Sequence, residues 1–136
     1  MYYITWRGGG NLILNSDGSK PIYIQISEWL ETEIMTGNFV SNQKVYSQYQ
    51  LAEMFNINPA TAAKGLNILV DENILYKKRG LGMFVTDIAR EKILYKRKNQ
   101  TLTHLVQELV LEASRLDVSE EQLIEMIKKA NKEGDR

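Results

Sequence analysis

The side chains best equipped for chemistry in this chain are cations. Lys77, Lys78, Arg79, Arg90, Lys92, Lys96, Arg97 and Lys98 fall within one short stretch, opposed only by Asp87 and Glu91. The whole chain balances, with 17 Lys and Arg against 17 Asp and Glu, so this basic excess is local. Such a segment can be the electrostatic footprint of a polyanion; a solvated charged helix is the other reading of the same run. Little else offers reactivity. There is no Cys and one His, His104, which removes thiolate catalysis, disulfides, Cys-ligated zinc and any multi-His metal cluster. Glu120-Glu121 and Asp71-Glu72 read as helix-end charges, and His104, among Leu102, Leu105 and Val106, as a core-edge or interface residue. The expectation is a protein that is not an enzyme and needs no cofactor or metal.

The 136 residues suffice for one domain with an appendage, and 43% of them are hydrophobic, enough to build a core. No apolar run is long enough to span a bilayer and the start does not read as a signal peptide, so a cytoplasmic protein is expected. Residues 1–19 read as an N-terminal extension. Alternation of Tyr2, Ile4 and Trp6 before three glycines fits a short hairpin, and a loose arm fits equally. After Pro21, the spacing of Ile22, Ile26, Trp29, Leu30 and Ile34 predicts a helix. Ser47 with Gln50 forms a capping box ahead of a short helix carrying Leu51, Ala52 and Phe55. Asn58 as cap and Pro59 at the first helical position open a longer one, through Glu72. Ala62, Leu66, Leu69 and Val70 turn inward on it. Ile74–Lys77 and Met83–Thr86 read as strands flanking a basic, glycine-containing tip. Three helices followed by a hairpin is the order of a winged helix, predicted over residues 20–86.

In helix-turn-helix geometry the second helix enters the major groove of DNA with its N-terminal residues toward base edges. That makes Ala60, Thr61 and Lys64 the candidates for groove contact. Thr61 can hydrogen-bond a base or phosphate, and Lys64 can reach guanine acceptors. Ser47 and Asn58 sit at helix starts, whose N–H groups suit phosphate oxygens. Arg79, Gly80, Leu81 and Gly82 suit a minor-groove or backbone contact, because glycines let the main chain approach closely. Lys44, Lys77 and Lys78 add to the cationic surface. Residues 87–136 read as helical: Leu102, Leu105, Val106, Leu109, Ala113 and Leu116 repeat at helical spacing. Ser119 with Gln122 caps a last helix bearing Leu123, Ile124 and Ile127. Two such helices cannot bury two apolar faces alone. A second copy of the chain is the expected cover, giving an α+β, mainly α, winged helix-turn-helix followed by a short helical dimerisation region; folding back onto the winged helix is the alternative.

The stretches PIYIQISEWLETEIMTGNF and SQYQLAEMFNINPATAAKGLNILVDENILYKKRGLGMFV resemble the N-terminal winged helix of the GntR family of bacterial transcription regulators. The short two-helix C-terminal region resembles its YtrA-like subfamily. The resemblance implies a homodimer that binds a pseudo-palindromic operator in double-stranded DNA and represses nearby genes, often its own operon with ABC-transporter genes. By position, Ala60, Thr61 and Lys64 match the recognition helix, and Arg79 to Gly82 the wing. The family's usual Pro-Ser followed by Arg is here Tyr46-Ser47-Gln48-Tyr49, so Tyr49 brings one hydrogen bond and no charge. A usual Ser-Arg is Ala63-Lys64, and Lys lacks the bidentate fork of Arg. Losing a bidentate guanine contact gives up about 1–3 kcal/mol of base discrimination. These departures, with the neutral overall charge, keep a second function in view: a winged-helix protein–protein interaction module with little DNA binding. A small-molecule effector, if one exists, would need a cavity at a dimer or domain interface.

Overall fold

Helix α1, Ile22–Met35, forms because its apolar residues recur on one stripe: Ile26, Trp29, Leu30 and Ile34 are all buried. Trp29 meets Phe55 edge-on at 5.0 Å and Tyr46 in a stacked arrangement at 6.2 Å. Residues 2–5, 11–14 and 20–134 are described by this computed structural model. They belong to two compact units, Met1–Tyr95 and Lys96–Arg136.

In the first unit, α2 (Gln48–Phe55) opens on the expected capping box. The Gln50 backbone N–H donates to Ser47 Oγ at 3.1 Å, and the Ser47 N–H donates to Gln50 Oε1 at 2.8 Å. Asn56 ends α2 in the left-handed conformation, φ 53°. Helix α3, Pro59–Asp71, then starts on Asn58, whose Oδ1 accepts from the Ala60 N–H at 2.8 Å. Both turns are closed by local side chains, so the helix-turn-helix angle is set largely by neighbouring residues. Helix α3 packs on α1 across Gly65, where an added Cβ would lie 2.9 Å from the Tyr23 carbonyl oxygen.

Strands β1 (Tyr2–Thr5) and β2 (Asn11–Leu14) pair antiparallel with Tyr2 opposite Leu14, the hairpin alternative for the extension. The three glycines, Gly8 to Gly10, lie outside the described residues. The wing is β3 (Leu75–Lys78) paired with β4 (Gly82–Val85), Leu75 opposite Val85 and Lys78 opposite Gly82. The ladder keeps the register of the expected strands but lies one residue nearer the tip. The Ile74 N–H is committed to the Leu69 carbonyl at the end of α3, so the regular ladder begins at Leu75. Residues 42–45 run beside β4, with Val45 N–H donating to the Met83 carbonyl and Val85 N–H to the Gln43 carbonyl. Helix α4, Ala89–Lys96, completes the unit by burying Ala89 and Ile93 in the same core.

The second unit has a π-helical turn, Arg97–Thr101, then α5, Leu102–Arg115, and α6, Glu120–Gly134. Asp117 takes φ 56° between the two. The Ser119–Gln122 capping box forms as expected, with bonds of 3.2 and 2.9 Å. His104 Nε2 lies 3.1 Å from Glu108 Oε1, one helical turn away, and both side chains are exposed in the single chain.

Candidate nucleic-acid interface

The two sides of α3 divide cleanly. Ala62, Leu66 and Leu69 are buried, whereas Ala60 and Lys64 are exposed and Thr61 is half-buried. At 100° per residue, positions 60, 61 and 64 share one face and the buried set takes the other. The helix therefore offers its first two turns outward, with a small apolar methyl, a hydroxyl and an ammonium on one side. The Lys64 ammonium stands 5.7 Å from the centroid of the Tyr23 ring on α1. Nothing in the sequence around Lys64 marks that contact, because Tyr23 is remote in the chain.

The wing tip is formed by a turn in which the Leu81 N–H donates to the Lys78 carbonyl at 2.9 Å. Gly80 and Gly82 have φ of 76° and 118°, values that L side chains rarely adopt. Arg79 and Leu81 are exposed at this tip. Lys78 extends over Phe84, its ammonium 4.5 Å from the ring centroid and 5.8 Å from that of Tyr76. The Tyr76 hydroxyl donates to Asn42 Oδ1, and Asn42 Nδ2 donates to Asp87 Oδ1, which braces the wing from outside. Lys44 joins it through its bridge to Phe84. Its Cε would stand 2.8 Å from a Cβ at Gly82, so this cation lies along the wing although 38 residues earlier in sequence.

Ser47 and Asn58 are engaged as caps, and Tyr49 on α2 is 69% exposed. Lys44, Ser47, Tyr49, Asn58, Ala60, Thr61, Lys64 and Lys78 to Gly82 thus all belong to the first unit. Two cations of the basic run of residues 77–98 are engaged within the first unit. Arg90 Nε donates to the Met35 carbonyl at the end of α1, and Lys92 Nζ to the Glu72 carbonyl at the end of α3. Cations at helix C-termini are favoured by the helix dipole, so these two fasten α4 to the core. Lys96, Arg97 and Lys98 belong to the second unit.

In that unit Leu102, Leu105, Val106, Leu109, Leu116 and Ile127 are exposed, Leu123 is half-buried and Ala113 is buried. Among the described residues no group of three or more acidic or histidine side chains could hold a metal ion. No described helix is long and apolar enough to cross a membrane.

Comparison with known proteins agrees with this geometry. Residues 22–85 match the family described as bacterial regulatory proteins, gntR family. A GntR family transcriptional regulator from Listeria monocytogenes superposes with a TM-score of 0.69 at 32% identity, over 83% of this chain and 97% of that one. The HTH-type transcriptional repressor YtrA of Bacillus subtilis is 28% identical over 81% of this chain and 84% of its own length. The repressor NagR of the same organism is 36% identical over 60% of this chain, and the chain spans 33% of NagR's length. A winged helix with a dividing α3, a basic glycine wing and these relatives place the chain in the GntR family of bacterial regulatory proteins.

Proposed function

We propose that the chain is a homodimeric, sequence-specific DNA-binding transcription regulator that represses genes near a pseudo-palindromic operator, acting in the bacterial cytoplasm. The observation that carries this reading is the outward face of α3, Ala60, Thr61 and Lys64, in one unit with a wing tip of Arg79 to Gly82. Helix α3 has 13 residues, about 20 Å of rod, and a major groove about 12 Å wide receives its first turns. Lys64 and Thr61 then read base edges. Ser47, Tyr49 and Asn58 face phosphates at the starts of α2 and α3, and Lys44, Lys78 and Arg79 follow the backbone beside the wing. Repression is supported by YtrA and NagR, both named repressors. The short helical C-terminal region, with a match that covers 84% of YtrA's own length, favours the YtrA-like branch.

Two copies are needed because a single wing and helix contact only half of a two-fold operator. Residues Leu102, Leu105, Val106, Leu109, Leu116 and Ile127, with the half-buried Leu123, supply the dimer face; Ala113, expected there from its spacing, is already buried within its own chain. The test is selection of duplexes from a random oligonucleotide pool by the full chain, followed by affinity measurement at two salt concentrations. Three backbone-facing cations per copy, Lys44, Lys78 and Arg79, give about six phosphate contacts in the dimer, so affinity should fall about 10³-fold between 50 and 200 mM salt. A pool that yields no enriched sequence, or a flat salt response, would replace this reading with the protein-interaction module.

A further inference from the structure

We infer that Tyr23, on the first turn of α1, is a positioning residue for DNA sequence discrimination: its ring holds the Lys64 ammonium in place on the reading face of α3. This rests on the reading of α3 as the groove helix. The Lys64 Nζ lies 5.7 Å from the Tyr23 ring centroid, within the range at which an ammonium is drawn to an aromatic face. The contact is built into the packing of the unit. Gly65, adjacent to Lys64, has no Cβ, and one added there would stand 2.9 Å from the Tyr23 carbonyl oxygen and 3.3 Å from Ile26 Cγ2. The backbone of α1 at Tyr23 is therefore pressed against α3 beside the residue whose side chain it steadies. A lysine is a flexible point charge with none of the preorganisation of a guanidinium fork. Resting it on a ring removes part of that freedom before DNA arrives, and a base contact made by a held cation discriminates better than one made by a roaming cation.

The test compares the full chain with Tyr23→Phe, Tyr23→Leu, Lys64→Ala and the Tyr23→Leu, Lys64→Ala double variant. The probes are a duplex enriched from a random pool by the unaltered chain and a scrambled duplex of equal length, and the readout is the ratio of the two affinities. Tyr23→Phe keeps the ring and should keep the ratio. Tyr23→Leu should lower the ratio about two- to five-fold, the size of an exposed cation–π contact. In the Lys64→Ala background the same change should lower it no further, which a general effect on folding could not reproduce. The Lys64 side-chain methylene protons should show an upfield ring-current shift in the unaltered chain and in Tyr23→Phe. An unchanged ratio in Tyr23→Leu, an equal loss without Lys64, or no ring-current shift in the unaltered chain overturns the inference. Failure of the unaltered chain to enrich any duplex overturns the DNA-binding reading itself, and this inference with it.

Discussion

An alanine at position 65 would bring its methyl carbon to 2.9 Å from the Tyr23 carbonyl oxygen and 3.3 Å from Ile26 Cγ2. In an open helix, Gly→Ala gains about 0.5–1 kcal/mol by reducing backbone freedom in the unfolded chain. Here that gain competes with overpacking, which costs about 1–3 kcal/mol where neighbours cannot retreat. The nearest atom is main chain of α1, held by the buried Ile26, Trp29 and Leu30, so the cost should win. Gly65→Ala is expected to lose about 1 kcal/mol and melt a few degrees lower by circular dichroism. A higher melting temperature would show that α1 can move away from α3. Position 82 behaves differently. The atom its Cβ would meet is the far end of the Lys44 side chain, which can swing aside, and the obstacle there is the backbone angle.

Elements in this protein are bounded mainly by side chains a few residues away, and the clearest case is α3. Removing the Asn58 carboxamide in Asn58→Ala frees the Ala60 N–H from its 2.8 Å bond and should cost about 1 kcal/mol. The urea midpoint should fall with the slope of the transition unchanged; no change in midpoint would mean that water replaces the cap at no cost. Such short-range devices were readable from the chain alone: the Ser47–Gln50 and Ser119–Gln122 boxes, the Asn58-Pro59 start, and the buried stripe of Ala62, Leu66 and Leu69. Long-range choices were not. The start of the wing's ladder at Leu75 follows from Ile74 giving its N–H to Leu69, a decision made by the end of α3 and invisible in the strand pattern. Lys44 reaches the wing across 38 residues of sequence, and Tyr23 reaches Lys64 only because a glycine lets two helices touch. Charge counting along the chain grouped Arg90 and Lys92 with the wing cations, although folding spends them on carbonyls at the ends of α1 and α3.

For the molecule as a whole, the second unit sets the terms. Large apolar side chains along α5 and α6, among them Leu102, Val106, Leu109, Met126 and Ile127, are exposed, apolar surface of the kind that marks an interaction site. Under the dimeric reading, Leu109→Glu puts a charge into that face without disturbing a buried position. It should shift the chain from dimer to monomer in sedimentation equilibrium and weaken binding to an enriched duplex at least ten-fold, the loss of one tethered half-site. A variant that remains dimeric would move the interface elsewhere. Helix α4 carries a practical corollary. The family match ends at residue 85, yet Ala89 and Ile93 are plugs in the same interior and Arg90 and Lys92 are its fasteners. Anyone trimming the gene to obtain the reading head alone should leave the scissors until after Tyr95, since a cut at the end of the wing pulls the stopper from the vessel.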